Sequence, residues 1–190
     1  GCDWSSDVCS SDLFKEYIAA KDNDQPRRVL ADISEGLVPL KTIEDHIFNA
    51  IASEEVISDK ASITLFNIRR AQKDKNANIR EKVNSLIRTY SQYLQDNLYT
   101  VRGDRYVIPV KTENKNMVAG LVHDQSSSGA TLYIEPMSLV NLNNEIKELM
   151  LKEKAEIEKI LRELSGEVYD SIIAVKNDAD IIWELDMIFA

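Results

Sequence analysis

From Ser138 to about Lys176 the apolar residues Ile146, Met150, Ile157, Leu161, Leu164, Val168, Ile172 and Val175 recur at steps of three, four or seven. Residues spaced this way share one side of a helix, so the run reads as a single long, coiled-coil-like helix with one apolar seam. On its outer face Glu148 and Lys152, and Glu158 and Arg162, stand four apart with the acid first, the favourable order for helical ion pairs. A second long helical pattern runs from about Ser62 to Asn97. Its latter half carries the stripe Ile79, Val83, Leu86, Ile87, Tyr90 and Leu94, while Arg69 to Asn78 is polar on nearly every side. That polar half is expected to stand in solvent or against a partner.

Between the two patterns the period changes to two. The segments LYTVR, RYVIPVK, GLVHDQ and ATLYIE are strand-like, and the Gly103-Asp104 pair between the first two is a two-residue hairpin signal. In RYVIPVK, Tyr106, Ile108 and Val110 share one face, and Arg105, Val107, Pro109 and Lys111 share the other. Pro109 has no N–H to give a ladder and argues for an edge or a bulge.

The expected fold is mainly α with a small antiparallel β insert: long antiparallel lever-type helices joined by a β-rich tip. Residues 14–97 form a helical core and the first lever helix, 98–136 the tip, and 137–190 the second lever helix with the start of a return helix marked by Ile182, Leu185 and Phe189. A tip on such an arm is expected to touch something rather than to build a core. Within the first part, a helix opens at Pro26 and closes at Gly36, a second follows Pro39 with Ile43, Ile47 and Ile51 as its stripe, and residues 53–59 form an acidic loop with a short extended piece.

Residues 1–13, GCDWSSDVCSSDL, hold both cysteines and no basic residue, and follow neither period. Read back into codons, DWSSDVCSSDL matches the translation of a sequencing-adapter oligonucleotide, so the segment is expected to be non-native or disordered and the natural N-terminus to be missing. The stripe interrupted at Phe189 suggests a cut at the other end too. Without Cys2 and Cys9 the body has no cysteine, which suits a reducing cytoplasm and leaves no thiolate zinc site.

Composition narrows the function. The net charge of -9 has the wrong sign for a chain that coats nucleic acid by bulk attraction, so any such contact needs a local patch. No stretch approaches the roughly 18 apolar residues of a membrane span, and no membrane partner is expected.

One stretch is idiosyncratic enough to carry a resemblance. The run Val122-His123-Asp124-Gln125 through Gly129-Ala130-Thr131 to Ile134-Glu135-Pro136 lies within residues 93–146, and together with 152–164 and the terminal ELDMIFA it resembles the MutS superfamily of mismatch-repair ATPases. Within that family it is similar to the bacterial branch whose members carry a C-terminal Smr nuclease domain. The resemblance covers residues 14–190 and implies the core, lever helices and clamp-like region that precede the ATPase. It further implies a homodimeric parent that binds ATP and magnesium, embraces DNA or ribosomal RNA, and acts in recombination control, DNA repair or rescue of stalled ribosomes. No GxxxxGKS/T loop and no Smr motif stand in this sequence, so no cofactor and no ATP hydrolysis or nuclease activity is expected of the chain by itself.

The candidate contact residues are Arg102, Arg105, Lys111 and Lys115, at or near turns of the β region and interleaved with Tyr99, Tyr106 and Tyr133, a combination suited to phosphate contact and base stacking. The alternative is a structural helical arm for dimerisation or protein docking without nucleic-acid contact. A second basic stretch, with Arg69, Arg70, Lys73, Lys75, Arg80, Lys82 and Arg88 against Asp74 and Glu81, reads first as a solvated helix face. His123, Asp124 and Ser126 to Ser128 have the letters of a nucleophilic triad, but neighbours on a strand point to opposite faces, and a polar turn at Gly129 is the simpler reading. His46 and His123 are not read as metal ligands.

Overall fold

Ser62 starts the longest element of the central region by capping it: its side chain accepts a 2.9 Å hydrogen bond from the Leu65 N–H and satisfies a helix-end donor. In the computed structural model, which describes residues 32–189, the chain falls into two compact units, residues 62–158 and the remainder. The fold is mainly α with two small antiparallel sheets. The readings of residues 1–13 and of the helix start at Pro26 lie outside the described residues.

In the non-central unit a helix ends at Glu35 and Gly36 turns the chain, as its glycine suggests. Helix α1 (Lys41–Ala50) leads into a hairpin of β1 (Ile51–Ser53) and β2 (Val56–Ile57), so Ile51 belongs to a strand and is exposed. The same unit holds the end of α3 (Met137–Asp170) and α4 (Ile172–Phe189). It is tied by the Val38 N–H to Asp178 Oδ1 at 2.8 Å, by the Asn177 amide to the Gly36 carbonyl at 2.9 Å, and by His46 Nδ1 to Glu167 Oε2 at 2.8 Å.

The central unit contains α2 (Ile63–Tyr90), the first part of α3, and a four-stranded sheet of β3 (Thr100–Arg102), β4 (Arg105–Lys111), β5 (Gly120–Gln125) and β6 (Thr131–Pro136) in the order β3-β4-β6-β5. Gly103 and Asp104 take φ of 55° and 62°, both left-handed, as a type I′ hairpin requires. Pro109 lies in a central strand. Its register partner is Tyr133 of β6, and on its other flank β3 has already ended, so the missing N–H interrupts no β3 ladder while its carbonyl accepts from the Gln95 N–H at 2.9 Å.

Tyr106, Ile108 and Val110 do share a face, and with Leu132 and Ile134 they pack on Ile79, Val83 and Ile87 of α2 and on Leu139 and Ile146 of α3. The β region thus builds the main core, contrary to the expectation that it would reach outward. One side of the polar half of α2 lies along α3, and Arg70, Lys73, Asp74 and Asn78 on the other are exposed, as expected. The two helices run antiparallel and are joined by Ser62 to Glu156 at 2.8 Å, Arg69 to Glu153 at 2.7 Å and Lys75 to Glu145.

The expected seam of α3 is rotated. Met150, Leu161 and Val175 are exposed, Ile160 is buried instead, and the helix stops at Asp170 before α4 begins. On the outer face Glu148 pairs with Lys152 at 2.7 Å, whereas Glu158 and Arg162 do not pair with each other and Lys159 lies 3.9 Å from Glu163.

Candidate nucleic-acid interface

The face of the sheet turned away from the core collects side chains of one parity. Arg102 of β3 and Arg105 of β4 are direct cross-strand partners, Lys111 ends β4 opposite Thr131, and Tyr133 and Glu135 project from β6 on the same side. Arg105 and Lys111 are six residues apart on a strand, about 20 Å at 3.3 Å per residue, so they mark its two ends. Lys115 follows in the 3-10 segment Thr112–Met117 and is exposed.

Arg102 lies with its guanidinium carbon 4.4 Å from the centre of the Tyr133 ring, and its Nε is 3.2 Å from Asp124 Oδ2, an ion pair outside hydrogen-bond alignment. Its side chain is 41% exposed. That of Arg105 is 17% exposed and more fully engaged. Its Nε and one terminal nitrogen grip both oxygens of Glu135 at 3.1 and 2.6 Å, and the other terminal nitrogen donates to Asn144 Oδ1 at 2.7 Å. Lys111 and Lys115 form no ion pair among the described residues.

Glu135 is wholly buried and was not among the candidate contact residues. Burial pushes its carboxyl up, but hydrogen bonds from Arg105, Asn143 and His123, with the Arg105 charge, outweigh that and hold it below the ordinary carboxylate value. Asn143 of α3, also fully buried, does more than contact it. Its amide accepts from the Tyr106 N–H at 2.9 Å, donates to the Tyr106 carbonyl at 3.2 Å, and reaches Glu135 Oε1 at 2.7 Å. A side chain here takes the place of a strand neighbour beyond the last β4–β6 register pair, Ile108 with Ile134. One polar residue among NLNN gives no sequence signal for that role.

His123 sits at a register irregularity of β5 between Val122 and Asp124, and its Nε2 is 2.5 Å from Glu135 Oε2. A carboxylate only accepts, so Nε2 carries the hydrogen. Ser126 and Ser128 Oγ lie 3.3 Å apart and bond to the turn's backbone, with Gly129 at φ 73°. The triad letters are thus divided between an ion-pair network and a turn. Of the tyrosines, Tyr106 is buried with its hydroxyl on Asn76 at 2.9 Å, and Tyr99 packs against it at 5.5 Å, leaving Tyr133 on the polar face. Among the described residues no group of three or more His, Cys, Asp or Glu could hold a metal ion, and no helix is long and apolar enough to cross a membrane.

No family model matches the chain. It is 68% identical over 177 residues to an endonuclease MutS2 of Clostridium acetobutylicum, an alignment covering 93% of this chain and 22% of that protein. It is 66% identical over 181 residues to endonuclease MutS2 of Clostridium kluyveri, covering 95% and 23%. For endonuclease MutS2 of Clostridium botulinum the identity is 65% over 177 residues, 93% and 22%. The chain thus spans about a fifth of the length of these curated relatives.

Proposed function

From the premise that the chain belongs to the MutS superfamily, on the branch of the MutS2 endonucleases, we propose that it is a nucleic-acid-contacting portion of such a protein. The contact uses the polar face and end of the sheet, with Arg102, Lys111 and Lys115 meeting phosphate and Arg105 ordering the face from beneath. The supporting observation is that Lys111 and Lys115 carry no acidic partner among the described residues on a chain whose net charge is -9. Cations without partners can exchange counterions for phosphate, whereas Arg105 would first have to abandon a buried carboxylate.

For a longer protein of this type the reading carries ATP and magnesium as cofactors, two copies as the assembly, the cytoplasm as the compartment, and DNA or ribosomal RNA as the substrate, in recombination control, repair or ribosome rescue. The test is an anisotropy titration of the chain with a labelled DNA duplex and a labelled RNA hairpin at several salt concentrations. Replacing Arg102, Lys111 and Lys115 together by Ala weakens binding and lowers the slope of log affinity against log salt by about 0.7 to 0.9 for each phosphate no longer neutralised. An unchanged affinity and slope in this variant removes the sheet from the interface. Binding to neither probe by the unaltered chain returns the assignment to a structural helical arm.

A further inference from the structure

Helix α2 sorts its basic residues by direction. Each residue advances the helix by about 100°, so Arg70, Lys73, Arg80, Asn84 and Arg88 fall within one stripe, turned roughly 100° from the core-facing line of Ile79, Val83 and Ile87. Arg69 and Lys75 point to the flanks and are held by Glu153 and Glu145 of α3. The four cations of the stripe are exposed and form no ion pair among the described residues. Proximity to the Tyr106 hydroxyl, which donates to Asn76, raises the Arg80 pKa, so its charge is kept. A helix face that is merely solvated usually mixes both signs. Here the acids of the helix, Asp74 and Glu81, stand at the margin of the stripe, on a chain that is otherwise strongly acidic.

The stripe runs into a groove of about 460 Å³ lined by Asn84, Ile87, Arg88, Ser91 and Asn97. The side chains of Asn84, Ser91 and Asn97 make no hydrogen bond among the described residues, so amide and hydroxyl groups converge on open space beside a guanidinium. Arg88 lies in the last turn, where its charge offsets the partial negative end of the helix and keeps the groove hospitable to an anion.

We infer that this stripe and groove are a second binding surface for a nucleic-acid phosphodiester backbone, separate from the sheet. The spacing fits a linear polyanion. Lys73, Arg80 and Arg88 are seven and eight residues apart, about 10 and 12 Å along the axis at 1.5 Å per residue, close to three nucleotides of a strand that rises 3.4 Å per nucleotide. The neutral side chains of the groove give hydrogen bonds to phosphate or sugar oxygens without adding to the charge. The inference extends the proposed function to another surface, and its test separates the two.

The full chain is titrated by anisotropy with a labelled 30-base-pair DNA duplex and an RNA duplex of matched length, between 50 and 200 mM KCl. Lys73→Ala with Arg80→Ala and Arg88→Ala weakens binding roughly tenfold or more and lowers the salt slope by about 2 to 3. Asn84→Ala with Asn97→Ala weakens binding with the slope unchanged. Glu81→Lys, which adds a cation at the margin, tightens binding and steepens the slope, a gain that misfolding cannot mimic. Equal losses on the two duplexes assign the shared phosphate backbone, and a larger loss on RNA assigns ribose contact in the same groove. A triple variant with unaltered affinity and slope overturns the inference, as does a chain that binds neither duplex. If the stripe variant loses binding while the Arg102, Lys111 and Lys115 variant retains it, the inference stands and the sheet assignment falls.

Discussion

Glu135 has no contact with solvent, yet it is the anion around which the polar face is arranged. Arg105, Asn143 and His123 all direct donors at it, so removing the carboxylate leaves a largely buried guanidinium uncompensated. Glu135→Ala is expected to cost about 3 to 5 kcal/mol in a urea or thermal unfolding measurement, the range for breaking one side of a buried pair. The acid dependence carries a definite sign. The folded-state pKa of Glu135 is lowered, so its contribution is fully present above the unfolded value and is lost as the pH falls through the folded one. In Glu135→Gln the part of the stability loss below about pH 4.3 that belongs to this group disappears, and unfolding curves of the two proteins converge toward acid. Curves that stay parallel from neutral pH to pH 3 would show that the carboxylate is not held by these partners. None of this was visible in the sequence, where Glu135 reads as one acid ending an apolar strand; its three partners come from β4, β5 and α3, and only folding brings them together.

At the scale of elements, α3 shows what a repeat can and cannot say. Its existence and length class followed from steps of three, four and seven, and the hairpin at Gly103-Asp104 followed from turn chemistry, because both are set by local backbone physics. The rotation of the buried face did not follow. Glu153 and Glu156 look like solvent-facing acids, but they point between helices and meet Arg69, Gln72 and Ser62, so the packed line of α3 includes them. A reading that tracks apolar residues alone is pulled toward Met150 and Leu161 at the edge of that line and passes over Ile160. The consequence can be measured. Ile160, 6% exposed, should cost about 2 to 5 kcal/mol as Ile160→Ala, whereas Leu161, 41% exposed, should cost less than about 1 kcal/mol as Leu161→Ala. The reverse order in melting experiments would restore the seam read from the sequence.

For the whole molecule, the division lies at Ser62, which caps the start of α2, and at Glu158, inside α3, rather than at the ends of the sheet. The sequence marks where periods change, and a contact boundary need not coincide with such a change: α3 is one uninterrupted helix, yet its residues to Glu158 are grouped with the sheet and those from Lys159 with α1 and α4. The central unit contains every residue of the main core cluster, from Ile79 of α2 to Ile146 of α3, together with the Glu135 network and the Ser62 cap that starts α2. A piece that holds its own core, its own polar network and the cap of its longest helix meets the requirements for folding alone at a length near 100 residues. Residues 62–158 expressed by themselves are therefore expected to melt in one cooperative transition, and Glu135→Ala should cost the same there as in the full chain within about 0.5 kcal/mol, because the residues it couples to are all present. A fragment without a cooperative transition would mean that contacts formed by the other residues are needed to hold the sheet on its helices. An equal cost in both would place the stability of the polar face wholly within the unit that bears the candidate nucleic-acid surfaces, so binding to either surface could be measured on that unit without interference from the rest of the acidic chain.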